Sequence, residues 1–172
     1  MKPSVLFFYN IIRLFIPETS FFGVKNFILR LAGVKIGKNV RICSSARFLG
    51  NAPLTIGDNT WVGIDVLIVA AAAENSPQTK VSIGKNVDIA PRVYIGTGTH
   101  IIDIHSPNIA GEGITAAINI GDGCWIGANA TILPGVTILE KTIVAAGSLV
   151  NKDLEGKSIF GGVPAKFIKK LE

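Results

Sequence analysis

From Ile120 to Val150 the chain reads IGDGCWIGANATILPGVTILEKTIVAAGSLV, and Ile120, Ile126, Ile132, Ile138, Val144 and Val150 fall six places apart. Four places after these apolar positions stand small side chains: Cys124, Ala130, Val136, Thr142 and Ser148. The same register runs upstream as Ile36, Ile42, Phe48 and Leu54, restarts at Ile56, Val62 and Ile68, and restarts again at Ile83, Ile89 and Ile95. Gly follows the apolar residue at Gly37, Gly57, Gly63, Gly84, Gly96, Gly121 and Gly127. A period of six is not a helical period, and simple strand alternation does not demand Gly at a fixed phase. It describes a short strand, a tight corner and another short strand. The large and the small apolar residues both point inward, and Gly or Asn near the corner tolerates positive φ. Three such sides close one triangular coil, and coils stack at the inter-strand spacing of about 4.8 Å. The fold class expected is all-β, a parallel β-helix whose inward Ile and Val residues pile into one continuous core.

That core accounts for the composition. Charged residues make up 17% of the 172 residues, and mean hydropathy is +0.46. No apolar run reaches the roughly 18 residues of a membrane span. The longest candidate, Val5 to Ile16, is interrupted by Tyr9, Asn10 and Arg13, and it lacks the basic leader and small-residue cleavage site of a signal peptide. The net charge of +5 is scattered, apart from Lys157, Lys166, Lys169 and Lys170 near the end. No basic helix interleaved with aromatics is present, which argues against nucleic acid as partner. Cys43 and Cys124 lack CxxC spacing, so free thiols in a reducing, cytoplasmic compartment are expected.

The chain divides into three parts. Residues 1–33 lie outside the repeat and predict two short amphipathic helices, about Val5–Ile16 and Ser20–Leu31, split by Pro17, with Ser20 as a cap and Gly33 as a stop. Their expected role is a helical cap over the open end of the β-helix; contact with a membrane surface is the alternative. Residues 34–157 carry the coils, near 36–55, 56–82, 83–119, 120–137 and 138–155. Two of these exceed three sides and therefore carry protruding loops, one around Ala70–Lys80 and one over 100–117. Residues 158–172 leave the repeat, turn at Gly161-Gly162 and Pro164, and predict a short C-terminal helix, Ala165–Leu171.

Both histidines, His100 and His105, fall in the second loop. His100 directly follows a coil side, so a rigid strand holds it; His105 lies farther out and reads as a surface residue. An imidazole, with a pKa of about 6.5, takes a proton from a hydroxyl as that hydroxyl attacks a thioester. The resulting oxyanion then needs a donor such as a backbone N–H. Ala128, Ala145, Ala146 and Gly147 leave room for a narrow amide-rich arm to lie along backbone groups.

The strings IGKNV, IGDNTWVG, IGKNVDIAP and IGDGCWIGANATILPGVTI resemble the left-handed β-helix acyltransferases. The stretch Gly121–Lys170, ending AAGSLVNKDLEGKSIFGGVPAKFIKK, is similar to galactoside and maltose O-acetyltransferases and to polysaccharide-modifying relatives. The resemblance covers Val34 to the C-terminus. It implies a left-handed coil, a homotrimer with active sites between subunits, acetyl-CoA as co-substrate, and a sugar or polysaccharide precursor as acceptor. It also implies His100 as general base, with Glu112 orienting it or binding the acceptor and Asp103 as a weaker rival. Ala128, Ala146, Asn151, Lys152, Lys166 and Lys169 fall at CoA-contacting positions, and Trp125 forms a wall beside the reactive centre. One departure matters: where galactoside-type enzymes offer Asn and Asp to the sugar, the matching places read Gly63 and Ala71, so the acceptor pocket is expected to differ. A polysaccharide or lipid-linked sugar then suits the apolar N-terminus better than a simple galactoside.

Other functions stay in view. An N-acetyltransferase of an amino sugar and a serine acetyltransferase-like enzyme share this fold and donor. A γ-type carbonic anhydrase needs three His for zinc, and only two exist here, so no metal is expected. A non-enzymatic β-helix scaffold is disfavoured by His100 and the AAGSLVNKD to GVPAK tail.

Overall fold

The computed structural model describes residues 1–172. Each coil contributes three short strands. The first is built from β1 (Lys35–Ile36), β2 (Arg41–Ile42) and β3 (Arg47–Leu49), the second from β4 (Leu54–Ile56), β5 (Trp61–Val62) and β6 (Leu67–Val69), and the third from β7 (Val81–Ile83), β8 (Asp88–Ile89) and β9 (Tyr94–Gly96). A hairpin of β10 (Gly98–Ile102) and β11 (Ala110–Thr115) then projects from the stack. The fourth coil holds β12 (Ile118–Ile120), β13 (Trp125–Ile126) and β14 (Thr131–Ile132), and the fifth holds β15 (Thr137–Ile138), β16 (Ile143–Val144) and β17 (Leu149–Val150). The tail adds β18 (Ser158–Gly161) and β19 (Lys166–Lys170).

These strands assemble into three sheets, one per side of the prism. The first side stacks β1-β4-β7-β12-β15, the second β2-β5-β8-β13-β16 followed by β18 and β19, and the third β3-β6-β9-β14-β17. All pairings within the coils are parallel, and the six-residue register is kept across them: Ile83 lies beside Ile120 and Ile120 beside Ile138, while Ile89, Ile126 and Val144 line up on the second side. Ile89, Ile95, Ile126, Ile132, Val144 and Val150 are wholly buried in one continuous core.

The glycine of the repeat has a reason that differs from the one its position suggests. Positive φ falls two residues later, on Asn39, Asn59, Asn86 and Gly123. The asparagines also bond to one another across coils, Asn39 donating to Asn59 at 3.2 Å and Asn59 to Asn86 at 3.1 Å. Gly37, Gly57, Gly84 and Gly121 instead stand where adjacent coils nearly touch. A Cβ on Gly57 would lie 2.5 Å from the carbonyl carbon of Gly84. Because the obstacle is backbone, Gly57→Ala is expected to cost about 1–3 kcal/mol in a urea melt. Gly98→Ala, which meets open space, is the neutral control.

Residues 1–33 form α1 (Pro3–Ile12), a 3-10 turn (Arg13–Phe15) and α2 (Phe22–Leu31). The boundaries differ from those read in the sequence: α1 starts earlier at Pro3, and Ser20 caps nothing, because Phe21 holds the N-cap place in a left-handed conformation without a side-chain bond. Gly33, at φ +88, follows the last turn. Leu6, Tyr9, Leu29 and Ala32 join the core cluster of the first coil. Side chains of the helical segment also satisfy carbonyls that have no coil above them: Asn26 donates to Val40 O at 2.8 Å, Arg30 to Ile36 and Gly37 O, and Arg13 to Ser44 O. Lys25 of α2 is fully buried and donates to Ser44 Oγ at 3.0 Å and Glu18 O at 3.1 Å. Burial lowers its pKa, and burial raises those of Tyr9, Cys43 and Cys124.

The far end corrects the sequence reading. No helix forms over Ala165–Leu171; the segment is strand β19, which turns back antiparallel on β18 and packs Phe167 edge-on against Phe160 at 5.7 Å. The tail covers all three sides of the last coil. Leu154 bridges to Ile138 on the first, β18 pairs with β16 on the second, and on the third Leu149 donates to Gly162 O and accepts from Ala165 N.

Candidate active site

Both insertions leave the prism at the same corner, between the third and first sides, one coil apart. The Ala70–Lys80 loop runs from β6 to β7, and the hairpin runs from β9 to β12. Stacking of the coils therefore brings together segments distant in sequence. Thr97 Oγ1 donates to Ala71 O at 2.7 Å, Ala73 N donates to Thr115 Oγ1 at 3.0 Å, and Thr79 and Thr115 hydroxyls bond at 2.8 Å. Asn75 Nδ2 donates to Glu112 Oε1 at 2.8 Å and latches the loop to the hairpin. Ala73, Glu74, Asn75, Glu112 and Gly113 line an open pocket of about 310 Å³ between them.

His100 sits on β10 opposite Gly113 of β11. Its Nδ1 lies 2.9 Å from the carbonyl oxygen of Gly111. A carbonyl oxygen only accepts, so this bond assigns the proton to Nδ1 and leaves the lone pair on Nε2. The bond also fixes the ring plane from the backbone of the neighbouring strand. The Nδ1 partner is thus a backbone carbonyl, while Glu112 Oε1 accepts from Asn75. Asp103 instead accepts from the backbone N–H groups of His105 and Ser106, at 3.0 and 3.2 Å, and shapes the hairpin tip. His105 is exposed there.

The remaining predicted residues lie elsewhere on the chain. Trp125 faces outward from the second side, 54% exposed and paired with Asp88 and Ile143. Ala128 and Ala146 occupy the corner between the second and third sides on consecutive coils, where Gly147 N donates to Ala128 O at 2.8 Å. Gly161 extends this column of small residues, its Cβ position 3.0 Å from that of Ala145. Asn151 and Lys152 are exposed just after β17, and Lys166 and Lys169 are exposed on β19 rather than on a helix. Lys170 is held by Glu155 at 3.5 Å and by Gly156 O. Gly63 lies buried at the corner between the second and third sides, where a Cβ would meet Ile89 O at 2.8 Å. The backbone of Ala71 is taken up by Thr97. No three His, Cys, Asp or Glu side chains converge as a ligand set. Within one chain, the hairpin that carries His100 stands at one corner while Trp125 and the small-residue column lie on other parts of the prism. Glu74 and Asn75 escaped the sequence reading, whose only signal for them was their place in the turn-forming insertion AAAAENSPQTK.

A prism of six-residue sides with a histidine-bearing hairpin defines a hexapeptide-repeat protein. Residues 117–152 match the bacterial transferase hexapeptide (six repeats) model. WcaF of Escherichia coli (strain K12), provisionally named a colanic acid biosynthesis acetyltransferase, is 37% identical over 145 residues, covering 84% of this chain and 73% of that protein. The galactoside O-acetyltransferase of the same organism is 32% identical over 136 residues, covering 79% and 63%. Among solved structures, a hexapeptide-repeat acetyltransferase from Vibrio cholerae aligns with a TM-score of 0.71 and 25% identity over 98% of this chain and 92% of that one. The same Vibrio protein has been solved with acetyl coenzyme A. The chain belongs to the hexapeptide-repeat acetyltransferase family.

Proposed function

We propose that this chain transfers acetyl from acetyl-CoA to a hydroxyl of a sugar in a polysaccharide precursor, with His100 as general base. The bond from His100 Nδ1 to Gly111 O carries this reading. It presents Nε2 as the basic atom and gives the imidazolium formed in the reaction a carbonyl partner for its charge. Nε2 takes the hydroxyl proton as the oxygen attacks the thioester carbonyl, and returns it to the departing CoA sulfur. The pocket lined by Glu74, Asn75 and Glu112, on the hairpin that also carries His100, offers carboxylate and amide acceptors of the kind that bind sugar hydroxyls. The relatives named as a colanic acid biosynthesis acetyltransferase and a galactoside O-acetyltransferase support the same reading.

The donor lies along the Ala128 and Ala146 column, with Trp125 beside the thioester and Asn151, Lys152, Lys166 and Lys169 toward the phosphates. Because the column and His100 occupy different parts of one chain, the complete site forms between subunits of a homotrimer with left-handed coils. The free thiols and the use of acetyl-CoA suit a cytoplasmic enzyme.

Thiol release from acetyl-CoA, followed over sugars, amino sugars and serine, tests the proposal. Turnover is expected with hydroxyl acceptors on sugars. Transfer confined to amines or to serine would replace this reading with the N-acetyl or serine alternative.

A further inference from the structure

The helices at the open end are apolar on both sides. In α1, Leu6 and Tyr9 face the first coil, and exposed Phe7, Phe8 and Ile11 stand on the far side at 3.6 residues per turn, with Ile12 at the edge of that stripe. In α2, Leu29 faces the coil while Val24, Phe27 and Leu31 point away from it. The turn and linker between the helices leave Phe15 84% and Phe21 64% exposed. Both stripes are directed opposite to the first coil, so they form one outward face at the end of the prism. Monomeric proteins rarely leave an apolar face of this kind uncovered.

The charges around this face select its occupant. Through Gly50, Glu18 is the only acidic side chain, and the next does not come until Asp58. Exposed Lys2, Lys35, Lys38, Arg41 and Arg47 ring the same end of the molecule. Two copies meeting face to face would press two basic rings together. An anionic lipid surface complements both features, taking the phenylalanines into the acyl boundary and the ring at headgroup level. No helix is long and apolar enough to cross a membrane, so the segment lies on the surface.

We infer that α1, the 3-10 turn and α2 dock this protein on an anionic bilayer with the prism axis pointing away from it. The inference is independent of the acetyl-transfer reading, and flotation of the full chain with vesicles tests it without donor or acceptor. Phosphatidylcholine vesicles containing phosphatidylglycerol should carry the protein, and added salt should release it. The double variant Phe8→Ser, Phe15→Ser should partition at least about tenfold less, with its melting temperature and its acetyl transfer to a soluble acceptor unchanged, since both side chains are exposed. Absence of flotation, or equal flotation with pure phosphatidylcholine, overturns the inference. A particle mass in solution that halves in the double variant also overturns it, by assigning the face to a second copy.

Discussion

Replacing His100 with alanine is expected to lower kcat by at least about 100-fold, the scale on which a general base contributes, while acetyl-CoA binds as before. The variant removes the Nε2 lone pair. It leaves the hairpin standing, because the ladder between β10 and β11 is made by backbone groups. Donor affinity is preserved because the residues proposed to hold CoA lie on the last two coils and the tail. His105→Ala should do far less: its ring lies at the exposed hairpin tip, and only its backbone N–H is tied in, to Asp103. Stopped-time assays of thiol release with calorimetry of acetyl-CoA binding separate the outcomes. Near-normal turnover without His100 would falsify the assignment, and equal damage from both histidines would move the chemistry to the hairpin tip.

Phe48→Ala is expected to destabilise the fold by about 3–5 kcal/mol, the usual range for emptying a buried aromatic site. Phe48 is wholly buried on β3, beside Ile68 of the next coil, and meets the Tyr9 ring edge-on at 5.8 Å. It is thus the point where α1 is fastened to the stack, and its loss opens a cavity on both sides of that seam. For a chain of this size the change corresponds to a fall in Tm of roughly 10 °C. Thermal melts followed by circular dichroism check it. A fall of only a degree or two would mean that α1 collapses into the space and that the seam is softer than the packing indicates.

The stack was legible because one side chain type at one phase, Ile or Val every sixth residue, maps onto one physical task. The same pattern located both insertions, since they are the places where the period breaks. It misassigned the cause of the conserved phase of Gly within the chain. Sequence spacing alone does not tell a tight corner from a close approach of two coils, and only the stacked neighbour of Gly57 reveals the latter. The helix expected over Ala165–Leu171 does not form. Pairing with β18 and the contact of Phe167 with Phe160 outweigh that weak local preference. At the site, the position of His100 was readable, but its carbonyl partner was not, because Gly111 supplies a backbone atom that its side chain does not announce. The Asn75 to Glu112 latch was hidden for a different reason: the residues lie 37 apart in sequence and meet only through the stacking of their coils.

A stack in which every coil is a template for the next has no intrinsic length. Left bare, either end would accept the matching end of another molecule, and the product would be a filament. The tail prevents this with little material. By lying over all three sides of the last coil and then reversing direction in β19, it replaces a parallel template with an antiparallel strand that no first coil matches. At the opposite end the carbonyls of the first coil are already occupied by Asn26, Arg30 and Arg13. The size of the particle is therefore set by its two terminators and not by the repeat, so coils could be gained or lost between them in evolution without releasing polymerisation.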